Sequence, residues 1–175
     1  MEARDTEIAI SFWKQKAEAF GSPPPFGEFD LVDVDGQSFR FLILDDLLSQ
    51  RDSVFLAYGG GFAKLFGLPE RPPMRLPMID CVPYRYRYLF LEACGEAIAE
   101  AAPVRFSGEV AGLGGSERYR ACFMPLRMRV DTMRGIYGSF NFRFLTAAEL
   151  RERSGQRDSA NTTLPGLPTQ YIRPE

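Results

Sequence analysis

The stretch SVFLAYGGGFAKLFG, residues 53–67, decides the fold. An apolar run ends in three glycines, and a helix-like segment carrying Lys64 follows. Phosphate-binding loops use the same parts, so spacing has to separate the readings. A Walker A loop requires GxxxxGK followed by Ser or Thr. Here Lys64 lies between Ala63 and Leu65. A dinucleotide fingerprint begun at Gly59 and Gly61 requires a third glycine where Lys64 stands. Both motifs fail. The glycines then read as a sharp strand-to-helix turn, where glycine supplies positive φ or lets backbone approach closely.

Upstream, SFRFLIL (38–44) reads as a strand with Phe39, Phe41 and Ile43 on one face. Before it, DTEIAISFWKQKAEAF (5–20) has a helical stripe of Ile8, Phe12, Trp13 and Phe20, and GSPPPFG stops it. The expected organisation is an amphipathic helix over 1–22, a Pro/Gly-rich link over 23–37 and a domain over 38–153. The stripe must bury itself on that domain or against a second copy.

Downstream, RPPMRLPMIDCVP (71–83) is too proline-rich for a long element. Residues 84–102 are expected to form a helix whose buried stripe includes Phe90 and Cys94. Tyr84 and Tyr88 are expected to pack on one side, and the neighbouring arginines to reach solvent or carboxylates. Glu92, Glu96 and Glu100 make an acidic, solvated row. Three strands follow: VRFSGEV (104–110), ERYRACFMPLRMRV (117–130) and IYGSFNFRF (136–144). Pro125 predicts a bulge or an edge in the second. TAAE (146–149) matches a capping box for a short last helix, and from Ser154 onward a loose tail is expected. Tight turns between the last three strands make the sheet antiparallel. That argues against a doubly wound nucleotide fold.

The chain contains no histidine. Ser-His-Asp and Cys-His nucleophiles, histidine-ligated zinc and histidine-ligated haem are therefore excluded. Cys81, Cys94 and Cys122 are widely spaced, odd in number and without a CxxC pair. They read as buried thiols in a reducing compartment. The acidic N-terminus is unlike a signal peptide, and no stretch is apolar enough to span a membrane, so a cytoplasmic protein is expected. The net charge of -2 gives no basis for nucleic-acid binding. In the YRYRY run (84–88), Arg85 and Arg87 diverge by about 200° on a helix, so no basic stripe forms.

Strand, glycine turn, short helix and Leu-Phe-Gly-Leu in VFLAYGGGFAKLFGL (54–68) resemble the start of a PAS domain. The later helix and three strands keep that family's order, and the resemblance covers roughly residues 38–145. It is strongest to compact, stand-alone bacterial PAS proteins. Gly60 stands where many members have asparagine. Cys81 in IDCVP and Cys94 in EACGEA do not match the Asn-Cys-Arg-Phe context of the light-sensing flavin branch. Neither that flavin nor haem is an expected cofactor, and none is identified.

The resemblance implies an α+β fold: a PAS-like five-stranded antiparallel sheet with helices packed on one face, plus the N-terminal helix. The space between sheet and helices would hold an unknown small molecule or be packed. Phe41, Tyr58, Phe62, Phe66 and Phe90 are candidates to line it, with Phe106, Phe123 and Phe140 from the later strands. Cys122 and Tyr137 complete the set, and Gly108 and Gly138 are expected to leave it room. Taken singly, each aromatic reads as core more readily than as ligand lining.

Three functions follow. The first is a non-catalytic sensory or regulatory module that binds a small apolar ligand or a partner protein. It would signal through its flanking helix or a homodimer interface of Ile8, Phe12, Trp13 and Phe20 to an unknown signalling protein. The second is a small cone-shaped α+β enzyme using Asp80, Glu109, Tyr58 or Tyr137. The third is a ligand-free adaptor with a filled core.

Overall fold

The structure, a computed structural model, describes residues 2–29, 38–46, 49, 52–73, 76–131 and 133–161. In chain order its elements are α1 (Glu2–Phe20), β1 (Arg40–Asp46), β2 (Val54–Tyr58), α2 (Gly60–Phe66), α3 (Met78–Cys81) and α4 (Tyr84–Glu100). β3 (Val104–Gly112), β4 (Gly115–Leu126), β5 (Met133–Phe144) and α5 (Ala147–Asn161) follow. The chain divides into two compact units after Phe144. In the first, the five strands form one antiparallel sheet in the order β2-β1-β5-β4-β3. The fold is α+β, as expected. Most of the link over 23–37, including DVDG (33–36), lies outside the described residues.

Side-chain alternation gives the sheet two apolar faces. Ala121, Phe123, Ile136 and Phe140 face α2, α3 and α4. Their neighbours Cys122, Met124, Leu126 and Tyr137 face α1. β2 needs a bulge to join this scheme. Leu42 pairs with Ala57, but Ile43 pairs with Phe55, so Leu56 is skipped. Phe55 and Tyr58, three residues apart, thereby reach the same face.

The glycine turn works by close approach. Gly59 has φ -74, which any residue adopts. A Cβ there would collide with the Ser38 carbonyl. That carbonyl accepts the Phe62 N–H at 3.2 Å, and the Arg40 carbonyl accepts the Gly59 N–H at 2.9 Å. The turn thus sews the start of α2 onto the start of β1.

α1 is part of the body. Ala9, Ile10 and Trp13 are buried against the sheet. The Trp13 indole donates to the Pro125 carbonyl at 2.9 Å. Pro125 sits on an edge, the second of the two expected possibilities. β3 pairs with β4 only up to Phe123, and Pro125 faces Ile136 of β5 in unbroken register. The proline segment after α1 covers the end of that edge, with Arg127 N–H donating to Pro24 and Phe26 N–H to Arg127, both at 2.8 Å.

Two boundaries move. β4 ends at Leu126 instead of running to Val130. α5 runs to Asn161, well past Ser154 where a loose tail is expected, and residues 162–175 of that expected tail lie outside the described residues. Its cap is the predicted one: Thr146 and Glu149 each accept the other's backbone N–H, at 3.3 and 2.8 Å.

Candidate functional site

The helix side of the sheet holds the aromatic residues marked in the sequence. Phe41 lies at the centre, with the Phe123, Phe62, Phe90 and Phe55 rings at 5.2, 5.4, 5.6 and 5.9 Å. Phe66, half-buried, reaches Phe140 at 5.3 Å. Tyr58 and Phe106 join the same cluster. These distances are ordinary ring-to-ring packing. The room ascribed to the glycines is filled: a Cβ at Gly138 would meet the Phe41 ring, and one at Gly108 the Tyr119 ring. Cys122 and Tyr137 are not in this cluster. Alternation along β4 and β5 turns them to the α1 face.

One acid enters the aromatic side. Asp45 follows Phe41 and Ile43 on the same face of β1 and is 1% exposed. Its Oδ1 accepts the Ser53 hydroxyl at 2.7 Å, and Ser53 Oγ accepts the Asp46 N–H at 3.1 Å. Its Oδ2 has no partner. Burial pushes the Asp45 carboxyl upward, the Ser53 bond opposes the shift, and the charge of Asp46 adds to it. Cys94 of α4 is also buried, and desolvation, then Asp45, holds its thiol well above the usual range. The sequence hid Asp45 because an Asp-Asp pair after an apolar strand reads as the start of a turn.

A second buried acid is fully paired. Glu117 of β4 accepts two bonds from the Arg85 guanidinium, at 2.7 and 2.9 Å, and one from the Tyr86 hydroxyl at 2.8 Å. Gly112 leaves space for this carboxylate, since a Cβ there would strike it. The YRYRY run is thus split differently than expected. Tyr86 is buried, while Tyr84 and Tyr88 are 87% and 76% exposed. Arg85 does reach a carboxylate.

On the opposite face α1 is latched at its N-terminal end. Asp5 accepts the Ser139 hydroxyl at 2.9 Å and the Phe39 N–H at 3.2 Å. Glu7 pairs with Arg105. Cys122 lies beneath, its thiol pushed up to about 12 chiefly by burial. Of the four residues marked for a dimer interface, Trp13 is buried within its own chain and Phe12 packs against Phe29 and Tyr137. Ile8 and Phe20 remain about half exposed.

The acid-base candidates do not converge. Asp80 is exposed at 4.0 Å from Arg87. Glu109 holds Arg118 on the outer face of β3. Tyr58 donates to the Pro69 carbonyl at 2.7 Å, and Tyr137 accepts from Arg40 across the sheet. Among the described residues no three His, Cys, Asp or Glu side chains gather as metal ligands. Among them, too, no helix is long and apolar enough to cross a membrane.

No family model and no curated protein matches this sequence. Solved structures do. The PAS domain of Bordetella pertussis BvgS aligns with 75% of this chain and 96% of its own, at 17% identity and a TM-score of 0.47. A domain of an HTR-like protein from Haloarcula marismortui aligns over 59% and 98%, at 13% identity and 0.41. The RsLOV d2 variant aligns over 75% of each chain, at 13% and 0.44. The chain is structurally similar to PAS and LOV domains over most of its length.

Proposed function

We propose that the chain is a non-catalytic regulatory module in which the aromatic side of the sheet senses and α1 reports. One observation carries this reading. β4 and β5 place alternate side chains into both clusters, so the two compartments share a wall one strand thick. A change in the aromatic cluster that shifts Phe123 or Phe140 moves the backbone bearing Cys122 and Tyr137. Packed interiors transmit such displacements. The scatter of Asp80, Glu109, Tyr58 and Tyr137 supports a role without catalysis.

The ligand would be small, largely apolar and equipped with one polar group for Asp45 Oδ2. Among the described residues this is the one unpartnered buried side-chain oxygen on the helix side. α1 would then act on a partner protein or a second copy through its outward face, where Ile8 and Phe20 are exposed. Native mass spectrometry of gently purified protein, set against the denatured mass, tests the ligand. A mass excess lost in Asp45→Leu supports it. An unliganded mass at every purification step leaves the filled adaptor as the better account.

A further inference from the structure

A different cavity, on the α1 face, has chemistry of its own. It measures about 270 Å3, just below the usual range of ligand pockets, and is lined by Thr6, Glu7, Arg105, Ser107 and Arg120 among others. Strand register explains the gathering. Ser107 of β3, Arg120 of β4 and Asn141 of β5 form one row across the sheet. Arg105 and Cys122 lie in the next row, beneath Thr6.

Two polar side chains of the lining, Thr6 and Arg120, are left unmet, and a third, Asn141, is unmet next to the lining in the same row as Arg120. Thr6 is 7% exposed and its Oγ1 has no partner, although a helical threonine can bond a carbonyl one turn back. Asn141, beside Arg120, is 2% exposed, and neither its amide oxygen nor its nitrogen is paired. Arg120 is exposed and makes no side-chain hydrogen bond or ion pair among the described residues. Unsatisfied buried groups are costly, and their clustering beside a free cation calls for a ligand. Glu7 would repel an anion, but its carboxylate is already engaged by Arg105. The net charge left to the cavity is that of Arg120.

We propose that this cavity binds a small oxyanion, a carboxylate or phosphate group, gripped by the Arg120 guanidinium and the hydroxyls of Ser107 and Thr6. The planar guanidinium fork matches either group. The inference is independent of the aromatic compartment and of any ligand there.

The test is amide NMR of the whole chain during titration with inorganic phosphate and, separately, with acetate, at constant ionic strength. The expected result is saturable shifts at Thr6, Ser107, Arg120 and Asn141 in one or both arms, and which arm responds assigns the group. Arg120→Gln should weaken that affinity by about tenfold or more, the loss of one charge-assisted bond. Arg129→Gln, outside the cavity, should leave it unchanged. Both side chains are exposed, so both variants keep the dispersed spectrum of the folded protein. Non-saturable shifts in both arms, or equal affinity in Arg120→Gln and the parent, would overturn the proposal.

Discussion

Gly138 lies directly under the ring of Phe41: a Cβ on the glycine would stand 2.5 Å from Phe41 Cζ and press on the Cys122 carbonyl. The ring cannot retreat, because four other aromatic rings surround it. Gly138→Ala should therefore destabilise the fold by about 1–3 kcal/mol through overpacking. Urea denaturation measures this, and an unchanged midpoint would mean that the sheet yields.

Trp13 gives the second prediction. It was expected at a dimer interface, where Trp13→Ala would weaken self-association and spare the fold. The structure instead places it inside the monomer. Trp13→Ala should cost about 3–5 kcal/mol of stability, the usual loss for a buried tryptophan. Full stability with weaker self-association would restore the dimer reading.

Glu117 is the third. Its carboxylate is buried, while the Arg85 side chain keeps 25% exposure. Glu117→Gln removes the charge that holds Arg85 and receives Tyr86. A loss of about 3 kcal/mol is expected, at the low end for a broken buried pair because Arg85 can turn to water. The loss should persist in high salt, since a buried pair is poorly screened. A salt-sensitive or negligible effect would show a surface-type ion pair.

Asp45 sets a pH dependence. Its folded pKa lies above 3.8, so between that value and the folded pKa the native state holds a proton the unfolded chain has lost. Stability from this group therefore falls as pH rises through that window and then levels off. Asp45→Asn should remove this component and leave the protein more stable at neutral pH. Parallel stability curves for the two proteins would show that Asp45 is not desolvated.

Much of this was legible beforehand, and the misses have physical causes. Alternation in IYGSFNFRF gave the faces of β5, because one residue in two must meet the core. The stripe on α1 was visible, but a stripe does not name the surface that covers it. The bulge at Leu56 breaks the period and left no mark in VFLAY. Cys122 and Tyr137 were grouped with the phenylalanines because apolar character was counted without their parity along β4 and β5. Glu117 reads as solvent-facing until the fold brings Arg85 to it, and Asp45, already disguised by the turn-like Asp-Asp pair, meets Ser53 only in the fold.

The proposed function requires the aromatic cluster and α1 to be coupled through the sheet. Trp13, the only tryptophan, lies on the α1 side, and Asp45 lies on the other. The most direct measurement is Trp13 fluorescence across pH in the parent protein and in Asp45→Asn, within the range where far-UV dichroism shows both folded. Coupling predicts a titration of the emission in the parent, centred above pH 3.8, that Asp45→Asn abolishes. Identical emission profiles in the two proteins would contradict it.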